Sequence, residues 1–431
     1  EAGKKVLVIE KEKLGGVCLN VGCIPTKSLI SISDKIRSLK KNEITGIDIN
    51  TTFSPDKTKI NDKVREATTQ NSKAIEYLFK KNKVDYVFGE AEFVSKNVVK
   101  VSDKEYSSEK IIIATGSRNK NYSNFSDGKT VENVITSTEA IFLEKIPESI
   151  TIIGGGAIGV EFAYIFNNLG SEVTILEYFP TLLPNMDAEC GKNIERTFKK
   201  DGIKVITEAK LVKIGKEGSN FVIYNRKEKE EKIESEFILT ALGREANSSI
   251  KGVDKLNIKL EKGYVKVGSN FKTGEDNIYA IGDVICGKPA LAHTAYYEAE
   301  LVVENILKGD NPPPDYGFTP FCVYCEPQVA GFGVTEETAK RQNLDYKVLK
   351  SFFKASGKAI AVDKTDGFVK ILVDNDSKVV LGASIVGENA SELIHILLIW
   401  AKLKKPLETI KQIVFAHPTL AELIKDTARI F

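Results

Sequence analysis

The stretch TIIGGGAIGVEFAYIFNNL (151–169), followed by GSEVTILE (170–177), decides the fold. It opens with a short β-branched run and passes through Gly154, Gly156 and Gly159 in GxGxxG spacing. It then continues as an amphipathic helix and closes in a second apolar strand ending on Glu177. A glycine triplet alone is common in loops. Strand, glycines, helix, strand and terminal acid in this order describe a βαβ unit that holds a dinucleotide. The segment GKKVLVIE (3–10) repeats the second strand of that unit, again running from a glycine to a glutamate. Matching Gly3 to Gly170 puts the glycines of this first copy ahead of Glu1. The expectation is that the sequence as given starts inside a first βαβ unit and lacks roughly 20 or more opening residues.

Outside these units, KIIIATGSR (110–118), EFILTALGRE (236–245) and NIYAIGD (277–283) read as apolar strands that end in glycine turns. The run Asn311-Pro312-Pro313-Pro314 cannot sit inside a helix or strand and marks a linker. After it, strands around 321–333, 347–353, 367–373 and 378–386 precede helices near 389–403, 406–412 and 419–429. That order predicts an α+β domain.

Composition narrows the function classes. With 61 basic and 59 acidic residues the net charge is only +2, and no basic stripe with interleaved aromatics points to nucleic acid. The longest apolar run, around Leu393–Leu403, is broken by His395 and Lys402 and is too short for a bilayer. Six cysteines in 431 residues do not make a disulfide framework, and no signal-peptide pattern opens the sequence, so a reducing cytoplasm is expected.

Two of those cysteines stand apart. GGVCLNVGCIPTK (15–27) places Cys18 and Cys23 five positions apart, just after a nucleotide-type strand. In a regular α-helix such positions lie about 140° apart, with Cα atoms roughly 8–9 Å apart. A disulfide requires about 7 Å or less. The pair closes only if the backbone bends, which Gly22 permits; otherwise these are two unrelated buried thiols. A closed pair would work by thiol–disulfide exchange, with Lys27 as a candidate cation to favour the thiolate. As a surface lysine, Lys27 would simply be solvated.

A base is needed, and the chain has three histidines. His395, in SELIHILLIW, is expected to pack on an apolar helix. His293, at a helix start, suits a capping role. His417 differs, because FAHPTLAEL sets it before Pro418 in a loop leading into a helix. Glu422 could hold its tautomer, as the carboxylate of a triad does. Alternatively, Thr419-Leu420-Ala421-Glu422 is a capping box in which Glu422 only caps the helix. Both roles remain open. Cys322 and Cys325 form an isolated CxxC, read as strand thiols because zinc would need a second pair.

GGVCLNVGCIPTK, GGGAIGVEF, YAIGD and HPTLAE, in this order and spacing, closely resemble the class I pyridine nucleotide–disulfide oxidoreductases, and among them the dihydrolipoamide dehydrogenases. The resemblance spans essentially the whole chain. It implies an α/β fold with two Rossmann-like domains, for FAD and NAD, and a C-terminal α+β dimerisation domain. The implied boundaries are 1–145 for FAD, 146–268 for NAD, 269–315 as a return to the FAD or central domain, and 316–431 for dimerisation. Cys18 would exchange with dihydrolipoamide and Cys23 would lie on the flavin. His417, oriented by Glu422, would serve the cysteines of the opposite subunit of a homodimer. Lys27, paired with Glu161, would sit by the flavin. Glu10, Gly16, Ala91, Gly116, Asp283 and Ala292 match FAD positions. Gly154, Gly156, Ala157, Ile158, Gly159, Glu161, Glu177, Leu211 and Gly243 match NAD positions.

Glu177 also decides between cofactors on physical grounds. A carboxylate at that strand end accepts from a ribose 2′-hydroxyl and repels a 2′-phosphate, and Tyr178-Phe179-Pro180 supply no arginine for that phosphate. NAD is therefore expected over NADP. The implied activity is oxidation of dihydrolipoamide, carried on the lipoyl domain of a 2-oxoacid dehydrogenase or glycine cleavage complex. Electrons would pass through Cys18–Cys23 and FAD to NAD⁺, with no metal, membrane or nucleic acid involved. The rival readings are a related NAD(P)H-dependent disulfide reductase and a non-catalytic fragment lacking FAD.

Overall fold

The computed structural model describes residues 2–40, 54–309 and 314–431, so all but Pro314 of the linker expected at 311–314 lies outside the described residues. Along the chain two compact units alternate. The first comprises Glu1–Pro25, Asp62–Asn121 and Leu242–Tyr316; the second comprises Thr26–Asn61, Tyr122–Ala241 and Gly317–Phe431.

The deciding stretch builds a five-stranded parallel sheet in the second unit. Its order is Lys204–Ile206, Glu172–Leu176, Ser149–Ile153, Phe237–Thr240 and Val134–Ile135. These strands read as nearly continuous apolar runs because both sheet faces are covered. Ile152, Ile175 and Ile238 are fully buried, each contributing roughly 1.5–3 kcal/mol relative to exposure. The crossover helix Ala157–Leu169 is not the amphipathic helix expected but is covered on nearly every side, burying Val160, Phe162, Ala163, Tyr164, Ile165 and Phe166 together with Glu161 and Asn168. It stops at Gly170, whose left-handed backbone (φ 113°) returns its N–H to Phe166 and Asn167. Gly159 has no substitute, since a Cβ there would lie 1.8 Å from the Gly154 carbonyl oxygen.

The C-terminal part of this unit is the expected α+β arrangement. An antiparallel sheet runs Phe321–Val323, Gln328–Gly333, Val380–Gly387, Phe368–Asp374, Tyr346–Phe352. The helices Ala390–Lys402 and Glu422–Arg429 share its core, which includes Leu349, Ile371, Ile385, Ile394, Leu397 and Ile424. Three local expectations are corrected. The strand expected over 321–333 is two strands separated by residues 324–327, so Cys322 is a strand residue and Cys325 is not. Residues Leu407–Gln412 form a 3-10 turn, since six residues after Pro406 give too little chain to repay α-helix nucleation. The last helix starts at Glu422, three residues later than expected, because the Thr419 hydroxyl turns back to the Ala416 carbonyl instead of capping forward.

The first unit holds two parallel ladders, Leu7–Glu10 with Asp85–Phe88 and Ile111–Ile113 with Ile278–Ala280. An antiparallel sheet, Ala91–Ser95, Val98–Val101 and Lys104–Ser107, accompanies them. A short antiparallel pair joins Ser117–Asn119 to Arg244–Ala246. Phe93, Ile113, Val265, Phe271, Ile278, Val284 and Val302 form the core of this unit.

Among the described residues, Gly16–Lys40 is the stretch whose length and composition would suit a bilayer, rather than 393–403. It is interrupted at Gly22 and buries Thr26, Ser33 and Arg37. A helix packed in a soluble core meets the same length test.

Candidate functional site

The cysteine segment bends where the spacing demands. Helix Gly16–Val21 ends at Gly22 (φ −141°, ψ −114°), and a new helix, Cys23–Lys40, starts at the next residue. A side chain at Gly22 would place its Cβ 2.9 Å from the Val17 carbonyl oxygen. The break brings the two Cα atoms to 4.7 Å, and Cys18 and Cys23 form a disulfide. Asn20 fastens the approach by donating from Nδ2 to the carbonyls of Leu14 (3.0 Å) and Gly16 (2.9 Å). Pro25 falls in the first turn of the second helix, where a missing N–H costs nothing.

One turn beyond Cys23, Lys27 Nζ donates to both oxygens of Glu161, at 3.0 and 2.9 Å. Glu161 is buried and also accepts from the Tyr324 N–H at 3.1 Å, while Lys27 Nζ lies 4.4 Å from the Tyr324 ring centre. A buried carboxylate is tolerable with such compensation and very costly without it.

His417 stands 81% exposed with its Nδ1 3.1 Å from Glu422 Oε1. The other carboxylate oxygen accepts from the Thr419 N–H at 2.8 Å. Glu422 thus contacts both His417 and the Thr419 N–H, while the N-cap of its helix is Ala421 and not the Thr419 expected of a capping box. The Thr419 N–H, then His417, hold its carboxyl below the usual range. With Nδ1 donating to Glu422, Nε2 is the outward, basic nitrogen. His395 does not pack into the core as expected. It lies on the exposed side of its helix, opposite Leu393, Ile394 and Leu397.

At the glycine loop, Gly156 caps a helix that has no side-chain cap, and Ala157 and Ile158 are its first residues. A Cβ on Gly156 would meet open space, so a phosphate group could approach these N–H groups. Glu177 accepts from the Gly155 N–H and, at 2.8 Å, from the Phe179 N–H. It thereby braces the loop from a buried position at the end of its strand. Leu211 is half-buried at a bulge in the strand Lys210–Glu217. Gly243 (φ 93°) belongs to the first unit, where its carbonyl accepts from Lys120.

The first unit contributes a second cluster. Asp283 lies in the 3-10 turn Gly282–Val284, and its Oδ2 accepts from the Ser117 hydroxyl at 2.7 Å. Gly116, just before Ser117, has a left-handed backbone (φ 67°) and open space where a Cβ would be. Ala292 opens the helix Ala292–Lys308, again without a side-chain cap. Glu10, ending its strand, accepts from the Glu12 N–H at 2.9 Å. Gly16 begins the helix of Cys18, and Ala91 begins the strand Ala91–Ser95. An acceptor aimed off a tight turn, an uncapped helix N-terminus and an unobstructed glycine suit a flavin nucleotide; the loop at 154–158 suits a pyridine one.

Tyr324 and the Arg244–Ser117 contacts to Asp283 were not foreseen from sequence. The one signal lay in the matching ATGSR and ALGRE segments, where Ser117 and Arg244 each follow a glycine turn. Three of the remaining thiols, Cys190, Cys322 and Cys325, make poor nucleophiles. Burial pushes Cys322 up to about 11 and raises Cys190 and Cys325 as well. Among the described residues no cluster of His, Cys, Asp or Glu is placed to hold a metal ion.

Comparison with known proteins agrees with this geometry. The family described as pyridine nucleotide-disulphide oxidoreductase matches residues 1–299, and its dimerisation domain matches residues 319–428. The dihydrolipoyl dehydrogenase of Geobacillus stearothermophilus is 37% identical over 438 residues, covering 100% of this chain and 92% of that protein. That of Bacillus subtilis is 36% identical over 437 residues, with the same coverage. Among solved structures, the HOCl-induced flavoprotein disulfide reductase RclA from Escherichia coli superposes with a TM-score of 0.86 at 27% identity, covering 100% of this chain and 95% of that one. LpdA from Mycobacterium tuberculosis gives 0.90 at 22% identity, covering 99% and 93%, and shares the fold. FAD and NAD(H) are the cofactors of the dihydrolipoyl dehydrogenases. With its family match spanning both nucleotide-binding segments and the dimerisation domain, this chain belongs to the pyridine nucleotide-disulphide oxidoreductases and is an oxidoreductase of that family.

Proposed function

We propose that the chain oxidises dihydrolipoamide to lipoamide with NAD⁺ as acceptor, the substrate being carried on a lipoyl domain of a 2-oxoacid dehydrogenase or glycine cleavage complex. The observation that carries this reading is the Cys18–Cys23 disulfide held across the Gly22 break. The curated dihydrolipoyl dehydrogenase relatives support the substrate. A lipoyl thiolate attacks Cys18 Sγ, the Cys18–Cys23 bond breaks, and Cys23 leaves as a thiolate. The second lipoyl thiol gives its proton to His417 Nε2 and attacks the mixed disulfide. That closes the lipoamide ring and frees Cys18, leaving the electron pair on the two cysteines. When bound, FAD supplies the two-electron chemistry that links this dithiol to the nicotinamide.

His417 lies within the dimerisation domain, and in our reading it serves the disulfide of the other subunit in a homodimer. Asp283, Glu10, Gly16, Ala91, Gly116, Ala292 and Lys27 would hold the flavin. The loop Gly154–Gly159, with Glu161, Glu177, Leu211 and Gly243, would hold NAD. The domain roles follow as 1–145 and 269–315 for FAD, 146–268 for NAD and 316–431 for dimerisation. Four free cysteines favour a reducing, cytoplasmic setting. The similarity to RclA favours a second reading, reduction of another disulfide. Rates with lipoamide against oxidised glutathione, each with NADH and NADPH, separate the two. For the first reading, Cys18→Ser should abolish lipoamide turnover yet keep NADH-to-dye electron transfer; surviving lipoamide turnover would refute it.

A further inference from the structure

The turn that carries Asp283 is braced from two sides by polar groups, one part-buried and one fully buried, that none of the roles above uses. On one side, Arg244 grips Ser117. Its Nε donates to Ser117 Oγ at 2.7 Å, its Nη2 to the Ser117 carbonyl at 2.6 Å, and its Nη1 to Asn119 Oδ1 at 3.0 Å. Ser117, 6% exposed, then has one hydroxyl hydrogen left, and it goes to Asp283 Oδ2 at 2.7 Å. The guanidinium fixes which way that hydrogen points, because the serine oxygen is already accepting from Nε. On the other side, the fully buried Glu298 accepts from the Gly282 N–H at 2.6 Å and from the Tyr316 hydroxyl at 2.8 Å. The ammonium of Lys288 lies 3.4 Å from the same carboxylate. Glu298 thus ties the residue before Asp283 to the far end of the same loop.

We propose that Arg244 and Ser117 are positioning residues for flavin binding, a relay that occupies Asp283 Oδ2 and so aims Oδ1 at a hydroxyl of the bound flavin nucleotide. Among the described residues, Oδ1 accepts no hydrogen bond, so it is the free acceptor of the pair. Burial lowers the Arg244 pKa and the Asp283 charge opposes that, so the two ions support each other through the serine. Without the hydroxyl, the nearest way to satisfy the part-buried guanidinium is for Asp283 to turn onto it and away from the ligand.

The inference rests on the reading of Asp283 as a flavin-holding residue, and the test separates the two. FAD affinity of the full chain is measured by titrating flavin-free protein and following flavin fluorescence. Ser117→Ala removes a hydrogen bond to a charged group and should weaken FAD about 10- to 100-fold. Ser117→Thr, which keeps the hydroxyl, should restore it. Arg244→Lys keeps the charge but loses the fork and should weaken FAD as well, which guards against one variant failing to fold. In an Asp283→Asn background, Ser117→Ala should change affinity less than about twofold, since the group being aimed is already lost. Full additivity of Ser117→Ala with Asp283→Asn, or unchanged affinity in both Ser117→Ala and Arg244→Lys, would overturn the relay. No effect of Asp283→Asn alone would instead overturn the role of Asp283.

Discussion

Lys27→Met tests the ion pair beside the redox helix. The substitution keeps the stem and removes the ammonium, so Glu161, only 6% exposed, retains a single donor, the Tyr324 N–H. Stripping the partner from a buried ion costs about 3–5 kcal/mol. Lys27 is itself 35% exposed, so water entering where the ammonium stood reduces the loss to about 2–3 kcal/mol. For a chain of 431 residues that corresponds to a fall of about 2–3 °C in the melting temperature of the FAD-saturated protein. Glu161→Gln, which releases Lys27 to solvent and keeps an acceptor for Tyr324, should cost less, about 1 kcal/mol. The double variant leaves no buried charge and should be more stable than Lys27→Met alone. Its coupling energy should reach about 2 kcal/mol, measured by scanning calorimetry at matched flavin saturation. If the two losses simply add, Glu161 is not relying on Lys27 and the electrostatic account of this site fails.

Two further outcomes follow from the same geometry. Gly159→Ala puts a Cβ 1.8 Å from the Gly154 carbonyl oxygen, so the loop must move; NAD⁺ affinity by calorimetric titration should fall at least about tenfold, with FAD affinity unchanged. Lys370, 1% exposed, is paired with Asp187, Glu189 and Glu336. Lys340 and Lys370 hold the Glu336 carboxyl down to about 2. A depressed carboxyl stabilises the fold above its unfolded value, near 4.3, and that stability is lost as pH falls towards 2. Lys370→Met should therefore lower the melting temperature sharply at pH 7, with the gap to the parent narrowing between about pH 4 and 2; a gap independent of pH would count against it.

The parts of this molecule that were legible in sequence are those where a local pattern carries the physics. The glycine spacing at 154–159 is dictated by how closely a helix must approach its own loop, and the break at Gly22 by the reach of a disulfide. His417 and Glu422 are close in sequence, so their contact could be weighed in advance. Where the pattern is thin, the structure is not legible. The 26-residue helix Lys57–Asn82 buries little besides Lys57, Ile60, Asn61, Val64 and Thr68, and its otherwise polar sequence carries no strong helical stripe. The strands Lys210–Glu217 and Lys229–Ser235 are dominated by lysine and glutamate on their exposed faces, which obscures the alternation.

A different limit governs Lys370 and the Arg244–Ser117–Asp283 relay. In FVKILVD (368–374) alternation would send Lys370 outward with the polar residues, yet Phe368, Val369, Lys370, Ile371, Leu372 and Val373 are all buried. A strand covered on both faces has no polar side, so period-two reasoning fails for it. The lysine survives there because three carboxylates from two other segments converge on it. Ser117 and Arg244 are likewise ordinary residue types, and they gain meaning only when chain segments 127 and 166 positions apart meet. Motifs reveal side chains placed to touch a ligand, because the backbone beside them must have a special shape. Side chains that aim those residues need only arrive at the right place, and any segment can deliver a serine or an arginine. The carboxylate proposed to hold the flavin therefore stands out through the family resemblance that YAIGD helps to carry, whereas the arginine proposed to steer it is visible only where the strands after Gly116 and Gly243 pair.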